Sequence, residues 1–171
     1  MYFNYPTLDI IDLPADASHR GKVRKMPPQF IVLHTTEGRD SRAFLTTTPG
    51  SGVSCHRLIR TGERIYKILP DDVVAWTQGP ARVGAFGTWG RLNMNDVSLS
   101  IELEHLSIAA MAYPTDVIAK TAAQCLSWWS EYGLIPIVYH WQIQSNKSDP
   151  PAWPYERFQH ELLAGLRYAL K

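Results

Sequence analysis

The stretch that most constrains this chain is Val97-Ser-Leu-Ser-Ile-Glu-Leu-Glu104, which alternates without a break. Val97, Leu99, Ile101 and Leu103 fall on one face, and Ser98, Ser100, Glu102 and Glu104 on the other. A strict period of two belongs to a strand packed on one side. It commits the chain to a sheet whose second face carries two carboxylates. Phe30-Ile-Val-Leu33 and Ile135-Pro-Ile-Val-Tyr139 are β-branched and aromatic runs that read as buried strands, and each ends at a histidine, His34 and His140. Ser54–Ile59 and Arg64–Leu69 add two strands around a hairpin-like turn at Thr61-Gly62-Glu63.

Helical spacing appears twice. Thr115 to Tyr132, with Thr115 as cap and Gly133 as stop, carries Val117, Ile118, Thr121, Ala122, Cys125, Leu126, Trp129 and Tyr132 on one stripe. Tyr155 to Leu170 repeats the pattern through Phe158, Leu162, Leu163 and Leu166, and Ser41–Leu45 suits a short helix. Residues 1–28 read as an irregular arm because Pro27-Pro28 blocks regular structure. Residues 77–96 lack periodicity and read as a long loop, a kind of segment that is usually functional. Strands and helices mix with no internal repeat. The expectation is a single α/β domain over 1–171, its core at 29–171, with a central mixed sheet of about five strands flanked by helices. A chain of 171 residues suffices to bury roughly 70% of its unfolded surface.

A formal net charge of +1 offers nucleic acid no basic field. The most apolar stretch, Leu106 to Tyr113, is far short of the roughly 20 residues that span a bilayer, so no membrane is expected. The N-terminus lacks the basic and apolar segments of a signal peptide, which points to synthesis in the cytoplasm. Cys55 and Cys125 cannot make a disulfide framework and read as two buried thiols.

His34, Glu102, His140, and the pair Lys147 and Asp149 then stand out together. Zinc takes imidazole and carboxylate ligands at about 2.0–2.2 Å and, in catalytic sites, keeps a fourth position for water. Hydrolysis also needs a carboxylate to move a proton and a cation where an oxyanion develops. His34, His140 and Asp149 can fill the first role, a glutamate of the alternating strand the second, and Lys147 the third. Glu102 and Glu104 share a face, so either suits the proton, and His56 is a tempting extra ligand.

The ordered pieces resemble one family. His34-Thr-Thr, Val53-Ser-Cys-His-Arg-Leu-Ile59, Asp71-Asp-Val-Val-Ala-Trp76, Val97–Glu104, and His140 with Lys147-Ser-Asp149-Pro are similar to the zinc-dependent N-acetylmuramoyl-L-alanine amidases of the phage-endolysin and peptidoglycan-recognition type. The resemblance runs from about residue 29 to 166. It implies a peptidoglycan-recognition-like fold, peptidoglycan or muropeptide as substrate, and cleavage of the amide between N-acetylmuramic acid and L-alanine. It implies Zn2+ on His34, His140 and Asp149, with Glu102 and Lys147 as catalytic groups and Glu104 structural. His56 becomes a residue that lines or supports the site, and Trp76, Trp89 and Arg91 become candidates for substrate contact. Thr77 stands where many relatives have histidine and Pro151 where many have glycine, both near the expected substrate.

A monomer is expected. Two rivals remain at this level: a peptidoglycan-binding module that has lost turnover, and a zinc peptidase cutting within the stem peptide. A phage lysis enzyme, a wall-recycling amidase and a delivered toxin fit the chain alike.

Overall fold

The computed structural model describes residues 8–38, 40–80, 93–105 and 112–169. The strands are β1 (Ile10–Asp12), β2 (Phe30–Thr35), β3 (Arg57–Ile59), β4 (Ile65–Lys67), β5 (Ser98–Leu103) and β6 (Ile137–Tyr139). The helices are α1 (Arg42–Thr46), α2 (Met94–Val97), α3 (Thr115–Tyr132), α4 (His140–Ile143) and α5 (Tyr155–Ala169). One mixed sheet runs in the order β1-β4-β3-β5-β2-β6, with only β3 and β4 antiparallel.

All six residues of β2 and all six of β5 are buried, because both faces of this central pair are covered. On one face Ile31, Leu33, Leu99, Ile101 and Leu103 pack with Val117, Ile118, Ala122 and Trp128 of α3 and Phe158 of α5. These five strand residues are each fully enclosed, so their burial contributes on the order of 10 kcal/mol. On the opposite face Phe30 and Val32 meet Met94, Val97, Val138 and Ile143. That pattern corrects the placement of Val97. It ends α2 and packs on the other side from Leu99, and the strand begins at Ser98.

Two further boundaries differ from the sequence expectation. The arm is not irregular throughout: β1 pairs with β4 from Ile10↔Ile65 to Asp12↔Lys67, and Val23 bridges Val73. Three residues of Ile-Ile-Asp are too short to show a period, so the sheet has six strands among the described residues where about five were expected. The cap of α3 is Pro114, with Thr115 as the first helical residue and Val117 N–H donating to the Pro114 carbonyl at 3.1 Å. Gly133 does end that helix, at φ 82°, a conformation that suits glycine. Both cysteines are buried and free.

β2, β5 and β6 run parallel, so their carboxyl ends lie along one edge. That edge is where open α/β sheets bind ligands.

Candidate metal and catalytic site

The sheet register assembles the site. Pairing of β2 with β5 sets His34 opposite Glu102. Pairing of β2 with β6 ends at Leu33↔Tyr139, and one step further His34 meets His140 with ring centroids 4.4 Å apart. Asp149 returns to the same point on the loop after α4. Trp141 N–H donates to its carbonyl at 3.2 Å, and Thr35 N–H donates to its carboxylate at 3.3 Å. His140 Nδ1 lies 3.0 Å and His34 Nδ1 3.5 Å from Asp149 Oδ2.

These residues fit a metal ion. His34, His140 and Asp149 are buried, and one ligand atom from each lies within 4.8 Å of the others. Tetrahedral zinc with bonds of about 2.0–2.2 Å separates its donors by roughly 3.5 Å, close to the spacing found. Two imidazoles and one carboxylate are also a donor set that catalytic zinc sites use. His140 Nε2 and Glu102 Oε2 are buried without a hydrogen-bond partner among the described residues. A buried polar atom in that state calls for a partner, and an ion held at this point would supply one for His140.

The electrostatics agree. Burial pulls His34 down to about 4, so its imidazole is neutral at pH 7 and available as a ligand. Burial alone would push Asp149 up, but its contacts with His140 and His34 outweigh that and hold it below the ordinary carboxylate range. Glu102 is raised to about 8, first by burial and then by Asp149, with Lys147 pulling in the other direction.

A cleft of about 320 Å³ opens over these groups, lined by His34, Glu102, His140, Lys147 and Asp149 together with Thr36, Glu37, Phe44, Val53 and Thr77. Lys147 is exposed at its rim. A larger hollow of about 720 Å³ lies beside α3 and the β3–β4 turn, away from this chemistry. Its charged side chains are already paired, Arg64 with Asp9 at 2.5 Å, Lys120 with Asp116 at 2.7 Å and Glu63 with Arg60 at 2.6 Å.

The five residues singled out for metal and catalysis therefore converge on one cleft. Glu104 stands apart: it accepts from Ser41 N–H at 2.9 Å and Arg60 Nε at 2.8 Å, which ties the start of α1 to the sheet. His56 does not line the cleft. It is fully buried, accepts from Ser100 N–H at 3.0 Å and donates to the Val73 carbonyl at 2.9 Å, so it can support the site only through the strand. Trp76 is 41% exposed but does not border the cleft that the described residues form. Trp89 and Arg91, and much of the 77–96 loop, lie outside the described residues. Gln78 and Phe44 were missed. Gln78 Oε1 accepts from His34 Nε2 at 3.0 Å, and Phe44 leaves α1 half-exposed on the cleft wall. Of the two, only Phe44 left a trace in the sequence, as an aromatic residue on a short helix soon after His34.

A profile of the N-acetylmuramoyl-L-alanine amidase family matches residues 24–152. The fold is similar to that of a selenomethionine derivative of AmpD, with a TM-score of 0.74 and 23% identity over 95% of this chain and 99% of that one. It is similar to the Ph2119 endolysin from the Thermus scotoductus MAT2119 bacteriophage, with a TM-score of 0.64 and 19% identity over 90% and 98%. AmiD from E. coli, solved in complex with the substrate anhydro-N-acetylmuramic acid-L-Ala-D-γ-Glu-L-Lys, gives a TM-score of 0.61 and 25% identity over 80% of this chain and 58% of that one. No curated protein matches the chain by sequence.

Proposed function

The chain belongs to the N-acetylmuramoyl-L-alanine amidase family, and from that premise we propose the bond it cuts and the residues that cut it. It is a peptidoglycan amidase. The bond is the amide between the lactyl group of N-acetylmuramic acid and L-alanine, and the metal is zinc held by His34, His140 and Asp149. The observation that carries this reading is the meeting of those three buried donors beside Glu102 at the carboxyl ends of parallel strands. When bound, zinc supplies Lewis-acid polarisation of the scissile carbonyl and the attacking water.

The protein groups do the rest. Thr35 N–H and His140 anchor Asp149, so the donor set is fixed before substrate arrives. Glu102, raised to about 8, is matched to proton transfer near neutral pH. It takes the proton of the attacking water and delivers it to the leaving nitrogen as the C–N bond breaks. The products are a muramic lactyl carboxylate and the free amine of L-alanine. Lys147, at the cleft rim, presents a fixed positive charge to the oxyanion that develops on the carbonyl. Phe44, Val53 and Thr77 form walls against which the lactyl-alanine segment packs.

The whole chain acts as one amidase domain and as a monomer, its arm tied to the sheet through β1. No helix of the described residues is long and apolar enough to cross a membrane. The substrate is wall peptidoglycan or free muropeptide. Digestion of purified sacculi with zinc-loaded protein, read by mass spectrometry, tests the reading. Free muramic carboxyl ends with new N-terminal alanine are expected. New ends inside the stem peptide would mark a peptidase, and binding without any release would mark a non-catalytic module.

A further inference from the structure

Gln78 lies next to the site, is buried, and reaches two strands at once. Its backbone is fixed before its side chain acts. The Asn95 side-chain oxygen accepts from the N–H groups of Thr77 at 3.2 Å, Gln78 at 3.0 Å and Gly79 at 3.1 Å, while Gln144 Nε2 donates to the Gln78 carbonyl. Gly79 supplies the left-handed φ of 67° that this turn requires. The side chain then spans from His34 on β2 to Ser98 on β5.

Donor and acceptor logic settles which way the amide faces. The Met94 carbonyl can only accept, so Ser98 spends its one hydroxyl proton there, at 2.7 Å. Ser98 Oγ must therefore accept from Gln78, and the group facing it is the amide NH2. That turns Gln78 Oε1 toward His34 Nε2, 3.0 Å away, and an acceptor there requires Nε2 to carry the proton. A neutral imidazole has one proton to place, so the lone pair falls on Nδ1, which lies 3.5 Å from Asp149 Oδ2. Two acceptors facing each other at that distance are suited to a cation between them.

We infer that Gln78 is a positioning residue that locks His34 in its Nε2–H tautomer and so selects Nδ1 as the metal-binding atom. This rests on the metal reading of His34 proposed above. An outer partner of this kind fixes ring orientation and tautomer, and its loss typically weakens metal binding by roughly 10- to 100-fold.

Long-range 1H–15N correlation spectra of the metal-free wild type, labelled at histidine, read the tautomer directly, and competition titration reads zinc affinity. His34 is expected as Nε2–H. Gln78→Leu should give a tautomer mixture and a zinc dissociation constant raised roughly 10- to 100-fold. Gln78→Glu, which keeps an acceptor on Nε2 but gives up the donor to Ser98, should restore the Nε2–H tautomer. An Nδ1–H signal in the wild type overturns the inference whatever the variants do. So does a Gln78→Leu protein with unchanged tautomer and affinity. Should Gln78→Leu fail to fold, the wild-type spectrum and Gln78→Glu still decide. Wild type that binds no zinc would sink the metal assignment instead, while the spectrum still reports on Gln78.

Discussion

The cluster around His56 and the cluster around His140 are both buried polar groups centred on a histidine, and they differ in what is left over. Each ring nitrogen of His56 has a partner, Ser100 N–H on one side and the Val73 carbonyl on the other. Nearby, Arg24 donates to the carbonyls of Asp71, Asp96 and Ser98, while Arg57 pairs with Asp71 at 2.9 Å and stacks 5.1 Å from the Trp128 ring. Burial, reinforced by Arg24 and Arg57, holds His56 far below its usual range, so it stays neutral. In the other cluster His140 Nε2 and Glu102 Oε2 have no partner among the described residues, and three ligand atoms face one another. A polar network that closes on itself holds strands together. One that converges with capacity to spare is built to receive something.

The sharpest way to break this contrast is to remove a ligand. His34→Ala and His140→Ala should lose zinc and turnover together, down to the background rate, as read by elemental analysis beside product release. Next in size, Glu102→Gln should keep zinc and lose roughly 10²- to 10⁴-fold in rate, the range of a general acid–base group. Full turnover in that variant would falsify the base assignment. Lys147→Met should cost roughly 10²- to 10³-fold in kcat with KM little changed. It should also shift the Glu102 limb of the pH profile upward, because Lys147 is what pulls that carboxyl down.

Two smaller effects probe the closed cluster and the uncompensated one by stability. His56→Ala strands Ser100 N–H and the Val73 carbonyl and leaves a cavity, at a cost of about 3 kcal/mol by denaturant titration. Zinc stoichiometry should not move, and a His56→Ala protein stripped of zinc would erase the distinction. In metal-free protein the pH dependence should have two arms. His34 sits at about 4 when folded, below the ordinary 6.5, so stability is lost as pH falls between those values. Glu102 sits at about 8, above 4.5, so its contribution is present at low pH and lost as pH rises toward 8. Glu102→Gln should flatten the second arm only.

What could be read from the sequence follows from how local each signal is. His34 and His140 each close a run of strand-forming residues, and the alternation of 97–104 put Glu102 on the polar face, which the sheet then buries at the site. Asp149 is different. Its residue type and its place in a polar loop soon after His140 made it a candidate ligand, but nothing near it in the chain says that Thr35 will hold it, and the family resemblance gave it its role. Gln78 was invisible because its role depends on Ser98 and Asn95, contacts about twenty residues away that no periodicity encodes. β1 was too short to show a pattern, and His56 stood as a candidate ligand or lining residue because the carbonyl and amide that enclose it come from distant segments. Core faces leave a periodic trace in the chain. Hydrogen-bond partners across elements do not.

The alignment of β2 with β5, residue 34 against residue 102, has a practical consequence. Side chains alternate along a strand, so a slip of one position would send Glu102 into the leucine and isoleucine layer beneath α3 and α5. Misaligned molecules could be compact and helical yet inert. Specific activity per mole of protein would then grade each refolded batch for correct strand pairing, a defect that helix-sensitive spectroscopy would pass over.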